Sequence, residues 1–304
     1  MLRRKLRRAE ALTFFAARPR CLVGIKACST AHHWAREITA LGHPVRLVSA
    51  SYVKPCVKPG KADAADAEAI CEAVTRPTTR FVPTKSAEQQ SALMLHRTRD
   101  LLVGRRTMLV NALRGRMAEM GIIAPSGISR VADLVAVLPG EDNTELPRLA
   151  RHALRGLAAE LEALGGRVKE IEAATLAWHK DNEASRRLAT IPGIGPITAS
   201  AIVATLTDPS QFHSARQFAA WIGLIPKQNS SGGKERQGGI SEQGDRCLRR
   251  LLVLGATAVI RHARTQVTAQ TAWLRGVLDR PAGAACVGGA GQQDGPHRLG
   301  AAGW

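Results

Sequence analysis

The sequence predicts an α/β domain at its N-terminal end, then helical segments, then a mostly α C-terminal part. Three observations carry this prediction. Short apolar runs alternate with amphipathic helices between residues 21 and 74, apolar residues recur at three- and four-residue steps between 88 and 171, and a Gly/Pro turn at 191–196 precedes a small-residue helix. The corresponding segments are 1–87, 88–185, 186–275 and a tail, 276–304.

Taken in order, residues 21–25 form an apolar run that reads as a buried strand. Residues 31–41 show helical periodicity and stop at Gly42, a residue suited to the position just past a helix. Residues 45–48 are a second strand and 53–60 a Pro- and Lys-rich loop. Residues 63–74 read as a helix with Asp63 placed to cap it. From 88 to 120 Leu95, Leu102 and Leu109 recur at heptad spacing, and Leu154, Leu157, Leu161, Leu164, Val168 and Ile171 make a second seam. Such seams fit an intermolecular coiled-coil arm and an intrachain bundle equally, and Gly165 with Gly166 weaken or kink the second. The tail is Gly-, Ala-, Gln- and Arg-rich without periodicity and reads as unfolded, as after a frame change in a decayed gene.

The 304 residues carry 43 Lys and Arg against 25 Asp and Glu, a net charge of +18, with 45% hydrophobic and only 4% aromatic residues. That balance points to polyanions, and the scarcity of aromatics argues for backbone and shape contacts over base stacking. The cations cluster at 3–20, 97–116 and 227–250. No apolar run reaches the roughly 18 residues of a membrane span. Six cysteines without a CxxC pair suit a reducing cytosol.

Asp63 and Asp66 lie three apart, on one helix face, where two carboxylates can share a Mg²⁺ ion or simply complement the helix dipole. The only acids upstream are Glu10 and Glu37, which leaves such a metal site short of ligands. The Gly193–Gly195 turn can aim backbone N–H groups at a phosphate, as in a helix-hairpin-helix, or be an ordinary tight turn. Residues 229–234, Asn-Ser-Ser-Gly-Gly-Lys, form a polar basic loop. A serine there is either a nucleophile beside phosphate-holding Lys and Arg or part of a solvent loop. The histidines between 31 and 43 have no telling metal-ligand spacing.

These motifs have a resemblance. The run from 21 to 28, Ala31-His32-His33-Trp34-Ala35-Arg36-Glu37, Gly42-His43, Tyr52-Val53-Lys54-Pro55 and Lys61-Ala62-Asp63-Ala64-Ala65-Asp66 resemble the DEDD-type insertion-sequence transposases, the IS one-hundred-and-ten family, with the pilin-gene-inverting recombinases as relatives. The motif Ile191-Pro192-Gly193-Ile194-Gly195-Pro196, Trp221-Ile222-Gly223-Leu224, residues 229–234 and Gly244-Asp245-Arg246-Cys247-Leu248-Arg249-Arg250 resemble that family's second domain, over roughly 5–280 in all.

The resemblance implies a RuvC-like, ribonuclease-H-like first domain whose acids bind Mg²⁺, with Asp63 and Asp66 matching the last two. It also implies a C-terminal serine that attacks DNA phosphate, with Ser231 the match and Ser230 the runner-up. Lys234, Arg249 and Arg250 would contact phosphate. DNA and a structured guide RNA are the implied partners, in a bacterial cytoplasmic, nucleoid-associated homo-oligomer. Two departures are expected to matter. The family's first Asp-bearing strand would precede Met1, as in an N-terminally truncated copy that leaves a sheet edge unsatisfied. Lys26 stands where the family has its Glu, replacing a metal ligand with a positive charge. The expectation is a transposase impaired in catalysis, with a non-catalytic DNA- or RNA-binding protein as the alternative.

Overall fold

A computed structural model describes residues 4–57, 62–123, 127, 130–136, 146–234, 236–265 and 276. The chain forms two compact units, residues 1–91 with 204–209, and residues 92–203 with 210–304. The expected tail lies outside the described residues, apart from residue 276.

In the first unit, a short helix α1 (Ala11–Ala16) precedes β1 (Val23–Lys26), α2 (Ala31–Ala40), β2 (Val45–Val48), α3 (Ala50–Val53), α4 (Asp63–Thr75) and β3 (Phe81–Val82). β1 and β2 are parallel with Val23 opposite Val45 and Lys26 opposite Val48, and β3 is antiparallel to β2, giving the order β1-β2-β3. Alternation along the strands divides two cores between the faces of this sheet. Ile25, Val45, Leu47 and Val82 pack with Ala31 and Ala35 of α2, while Val48 and Phe81 pack with Ala69, Ile70, Ala73 and Val74 of α4.

α2 ends in a complete Schellman closure: Gly42 takes φ +90°, its N–H bonds to the Thr39 carbonyl at 2.9 Å, and the His43 N–H reaches Ile38 O at 3.4 Å. The segment expected as a loop at 53–60 instead begins with α3 and a single 3₁₀ turn, Lys54–Cys56. Residues 58–61 lie outside the described residues. The strand expected at 21–25 is displaced by one or two positions, which brings Lys26 into β1.

In the second unit, α5 (Ala87–Ala118) and α7 (Arg148–Asp181) carry most of the apolar seam, with α6 (Val131–Ala136) between them in sequence. Leu102 packs with Leu164 and Val168, and Val110, Leu113 and Met117 with Leu154 and Leu161. Ion pairs Arg99–Glu172 at 2.6 Å and Arg105–Glu160 at 2.8 Å run in opposite chain senses, so the two helices are antiparallel. The 154–171 seam is therefore satisfied within the chain, and α7 passes unbroken through Gly165 and Gly166. A different heptad is left outside: Met94, Leu101 and Met108 are 64%, 64% and 70% exposed.

The C-terminal part comprises α8 (Glu183–Leu188), α9 (Pro196–Thr205), α10 (Ala215–Trp221), a ribbon of β4 (Pro226–Gln228) and β5 (Gln237–Ile240), and α11 (Arg246–Thr265). Ala199, Ala201 and Ile202 of α9 are buried with Leu188, Ile222 and Leu248, and small side chains let the surrounding helices close on it. Ser200 satisfies its buried hydroxyl by donating to the Pro196 carbonyl at 2.8 Å. Asp245 caps α11, accepting the Leu248 N–H at 2.8 Å.

Candidate functional site

The carboxylate pair sits on α4. Asp63 is the first residue of that helix; Ala62 holds the cap position, and no side chain caps it. The expectation that Asp63 caps the helix is corrected accordingly. Asp66, Ile70 and Val74 recur every four residues and form one stripe, and that stripe lies along β1. At Gly24 the approach is tight: a Cβ there would stand 3.1 Å from Ile70 Cγ2 and 3.2 Å from Val74 Cβ. Two residues on, Lys26 faces the same side, and its Nζ donates to Asp66 Oδ2 at 2.6 Å.

Mg²⁺ needs about six oxygen ligands in near-octahedral array. Here one carboxylate oxygen already holds an ammonium, Asp63 is exposed, and no three His, Cys, Asp or Glu side chains gather into a metal site among the described residues. The residues present do not fit the ion.

The serine motif is more ordered than the loop expected for it. Ser231 and Lys234 form a bridge, with N–H to O distances of 3.3 and 3.1 Å, across a two-residue turn of Gly232 and Gly233 at φ +57° and +76°. Two positive φ values in succession are the signature of a type I′ hairpin turn, for which Gly-Gly is well suited. The Asn229 N–H bonds to Arg236 O at 2.8 Å, and the pairing continues into β4 and β5 with a bulge between Pro226 and Gln228. The serines differ. Ser230 Oγ accepts the Arg236 N–H at 3.1 Å, whereas Ser231 Oγ has no hydrogen-bond partner among the described residues. Directly opposed residues of an antiparallel pair project to one face, so Lys234 stands beside Ser231.

The other expected phosphate contacts lie in different surroundings. Arg249 Nη1 donates to the carbonyls of Ile222 at 2.9 Å and Gln243 at 2.8 Å, bolting the base of the ribbon to α11. Arg250 is ion-paired to Asp100. Gly193 takes φ +84°, and a Cβ there would meet Val259 Cγ2 at 2.8 Å; a Cβ at Gly255 would stand 1.9 Å from Gly193 O. The turn is thus pressed against α11, while no described residue lies within 4 Å of a Cβ at Gly195. Of the residues expected at the serine site, Ser231 and Lys234 are brought together. Lys227 and Arg236 were seen in the sequence only as members of a basic cluster, and the alternation of the ribbon adds them to the Ser231 face.

His96 is buried with its Nε2 unpartnered among the described residues. Burial, reinforced by Arg99 and opposed by Asp245, pushes its imidazole down to about 4. Burial, with Asp100 and Asp245 adding to it, pushes the Cys247 thiol up.

A profile of the transposase IS116/IS110/IS902 family matches residues 185–272. A Pseudomonas aeruginosa protein described as a "Probable family 20 transposase" is 46% identical over 279 residues, covering 91% of this chain and 82% of its own. The transposase for insertion sequence element IS1328 of Yersinia enterocolitica is 40% identical over 280 residues, 92% and 83% of the two chains. That for IS1111A of Coxiella burnetii is 39% identical over 282 residues, 91% and 76%.

Proposed function

This chain belongs to the IS116/IS110/IS902 family and is an insertion-sequence transposase, and we propose that it exchanges DNA strands through Ser231. In this reading the Ser231 oxygen bonds to a backbone phosphorus while a sugar oxygen departs, carrying the proton the serine gives up. A second sugar hydroxyl then attacks the serine phosphodiester and restores the hydroxyl. Lys234, on the same face of the turn, neutralises the non-bridging oxygens as charge accumulates on them. The observation that carries the choice is the contrast at the hairpin tip, where Ser230 is spent on the backbone and Ser231 is not. Incubating the protein with a DNA duplex carrying the element's end, then denaturing, tests it. A covalent protein–DNA adduct is expected with Ser230→Ala and none with Ser231→Ala; an adduct that survives Ser231→Ala refutes the assignment.

The first unit is read as a RuvC-like domain, the 191–196 turn as a helix-hairpin-helix element, and the segments 1–87, 88–185, 186–275 and 276–304 as separate pieces. A structured guide RNA would supply the base reading that the basic surface lacks. The exposed Met94, Leu101 and Met108 heptad supports a homo-oligomer. No described helix is long and apolar enough to cross a membrane, and the proposed location is the bacterial cytoplasm, at the nucleoid. The Lys26–Asp66 pair favours a second reading, in which strand exchange is impaired for want of Mg²⁺ and the chain chiefly binds DNA or RNA. Wild-type DNA affinity without any adduct would support that second reading.

A further inference from the structure

We infer that the face of the β4–β5 ribbon bearing Lys227, Lys234 and Arg236 clamps the phosphate backbone of duplex DNA, an inference that rests on reading the chain as a transposase. Alternation from the Ser231–Lys234 bridge through the Asn229–Arg236 pairing puts Lys227, Asn229 and Ser231 of one strand on the same face as Lys234 and Arg236 of the other. Gly238 confirms this independently, since a Cβ there would meet Asn229 Nδ2 at 3.5 Å and Lys227 Cβ at 3.6 Å. The opposite face carries Gln228, Ser230 and Gln237, with no cation among the described residues. The ribbon thus sorts its charge onto one side.

No residue of β4 or β5 is buried. A two-stranded ribbon without a packed face is marginal in water, so its working state needs a covering partner. The chemistry of the exposed face selects that partner. Three cations stand on it without an ion pair among the described residues, and Ile240 is the ribbon's single large apolar side chain. A protein partner would find little to bury, whereas phosphates find three counter-charges. Side chains on one face recur about every 7 Å along each strand, and the DNA major groove admits a two-stranded ribbon. Gly238 and Gly239, opposite Lys227, also allow close backbone approach.

The test measures affinity of the full chain for a short mixed-sequence duplex as a function of salt. Three phosphate contacts contribute about 2.7 to the slope of log affinity against log salt. The variant with Lys227→Gln, Lys234→Gln and Arg236→Gln is expected to lose that much slope, which amounts to losing about 40-fold less affinity than wild type between about 50 and 200 mM salt. Lys227→Gln alone, remote from the turn, is expected to lower the slope by about 0.9, so the test survives if the triple variant does not fold. Unchanged slopes overturn the inference. A slope that falls with single-stranded RNA but not with duplex DNA overturns the duplex assignment. An unchanged DNA slope with a lower oligomeric mass overturns it in favour of a second copy of the chain. Strand exchange is scored separately. A reduced slope in a protein whose Ser231→Ala variant still forms an adduct would leave the clamp standing and sink the serine reading. The reverse pattern would sink the clamp alone.

Discussion

If the Lys26 ammonium stands in for a cation, exchanging it for a carboxylate should make the first unit respond to Mg²⁺. Both side chains of the Lys26–Asp66 pair are partly exposed, at 37% and 45%, so the pair itself contributes only about 0.2–1 kcal/mol. Lys26→Glu removes that attraction and adds a like-charge repulsion of similar size, about 0.4–2 kcal/mol in all without divalent ions. In a domain of roughly 100 residues each kcal/mol lowers the melting temperature by about 4–8 °C. A Mg²⁺ concentration ten times the dissociation constant returns about 1.4 kcal/mol, enough to recover most of the loss. The assay is a thermal melt of wild type, Lys26→Glu and Asp66→Ala, with and without MgCl₂ at matched ionic strength. Lys26→Glu should melt low and be rescued by Mg²⁺, while wild type should be indifferent. Wild type raised by Mg²⁺, with that rise abolished in Asp66→Ala, would refute the reasoning outright.

Other outcomes follow from the same structure. Because the His96 pKa is depressed in the fold, the unfolded chain takes up a proton that the folded one refuses between pH 6.5 and about 4. Stability is therefore constant above the unfolded value and falls by about 3 kcal/mol on acidification through that window, and the acid limb of a melting-temperature profile should flatten in His96→Leu. Gly244→Ala should cost more than 2 kcal/mol in urea unfolding, since φ is +81° and a Cβ would stand 2.1 Å from Trp221 O; about 1 kcal/mol is expected for Gly42→Ala, which has open space. Arg249→Ala should destabilise by about 1.5–3 kcal/mol, because two ribbon-base carbonyls lose a charged donor. Leu101→Glu with Met108→Glu should reduce the sedimenting mass to that of a monomer; an unchanged mass would remove that stripe as an interface.

The first unit was largely legible in the sequence because its signals are hydrophobic. The 45–48 strand has the limits its apolar run predicts, and the helices predicted over 31–41 and 63–74 end within one residue of those bounds, since each must bury a periodic apolar set. The ribbon was not legible, because strands made of Pro, Lys, Gln and Gly, exposed throughout, carry no apolar alternation to detect. Its one available signal was the Gly232-Gly233 dipeptide, which reads as a hairpin turn only if the flanking polar runs are allowed to be strands. β3, two residues long, is too short for any periodicity. In α5 the heptad is visible but its phase is only half informative: Leu102 is buried, while the adjacent Leu101 belongs to a second, outward stripe. The Asp66–Lys26 contact spans forty positions and has no local signature.

The ribbon is fastened at its base by Arg249 and by the backbone contacts around Gly223 and Gly244, yet no described residue packs on its outer turn. Local opening of such an element needs little free energy, and hydrogen exchange at Ser231 and Lys234 should be among the fastest in the second unit. The ordering entropy of the tip is then met only when a polyanion lies along it. In the proposed mechanism this makes the nucleophile conditional. Away from DNA a hairpin tip that opens readily wastes no chemistry on stray phosphoesters, and the substrate itself completes the site that acts upon it.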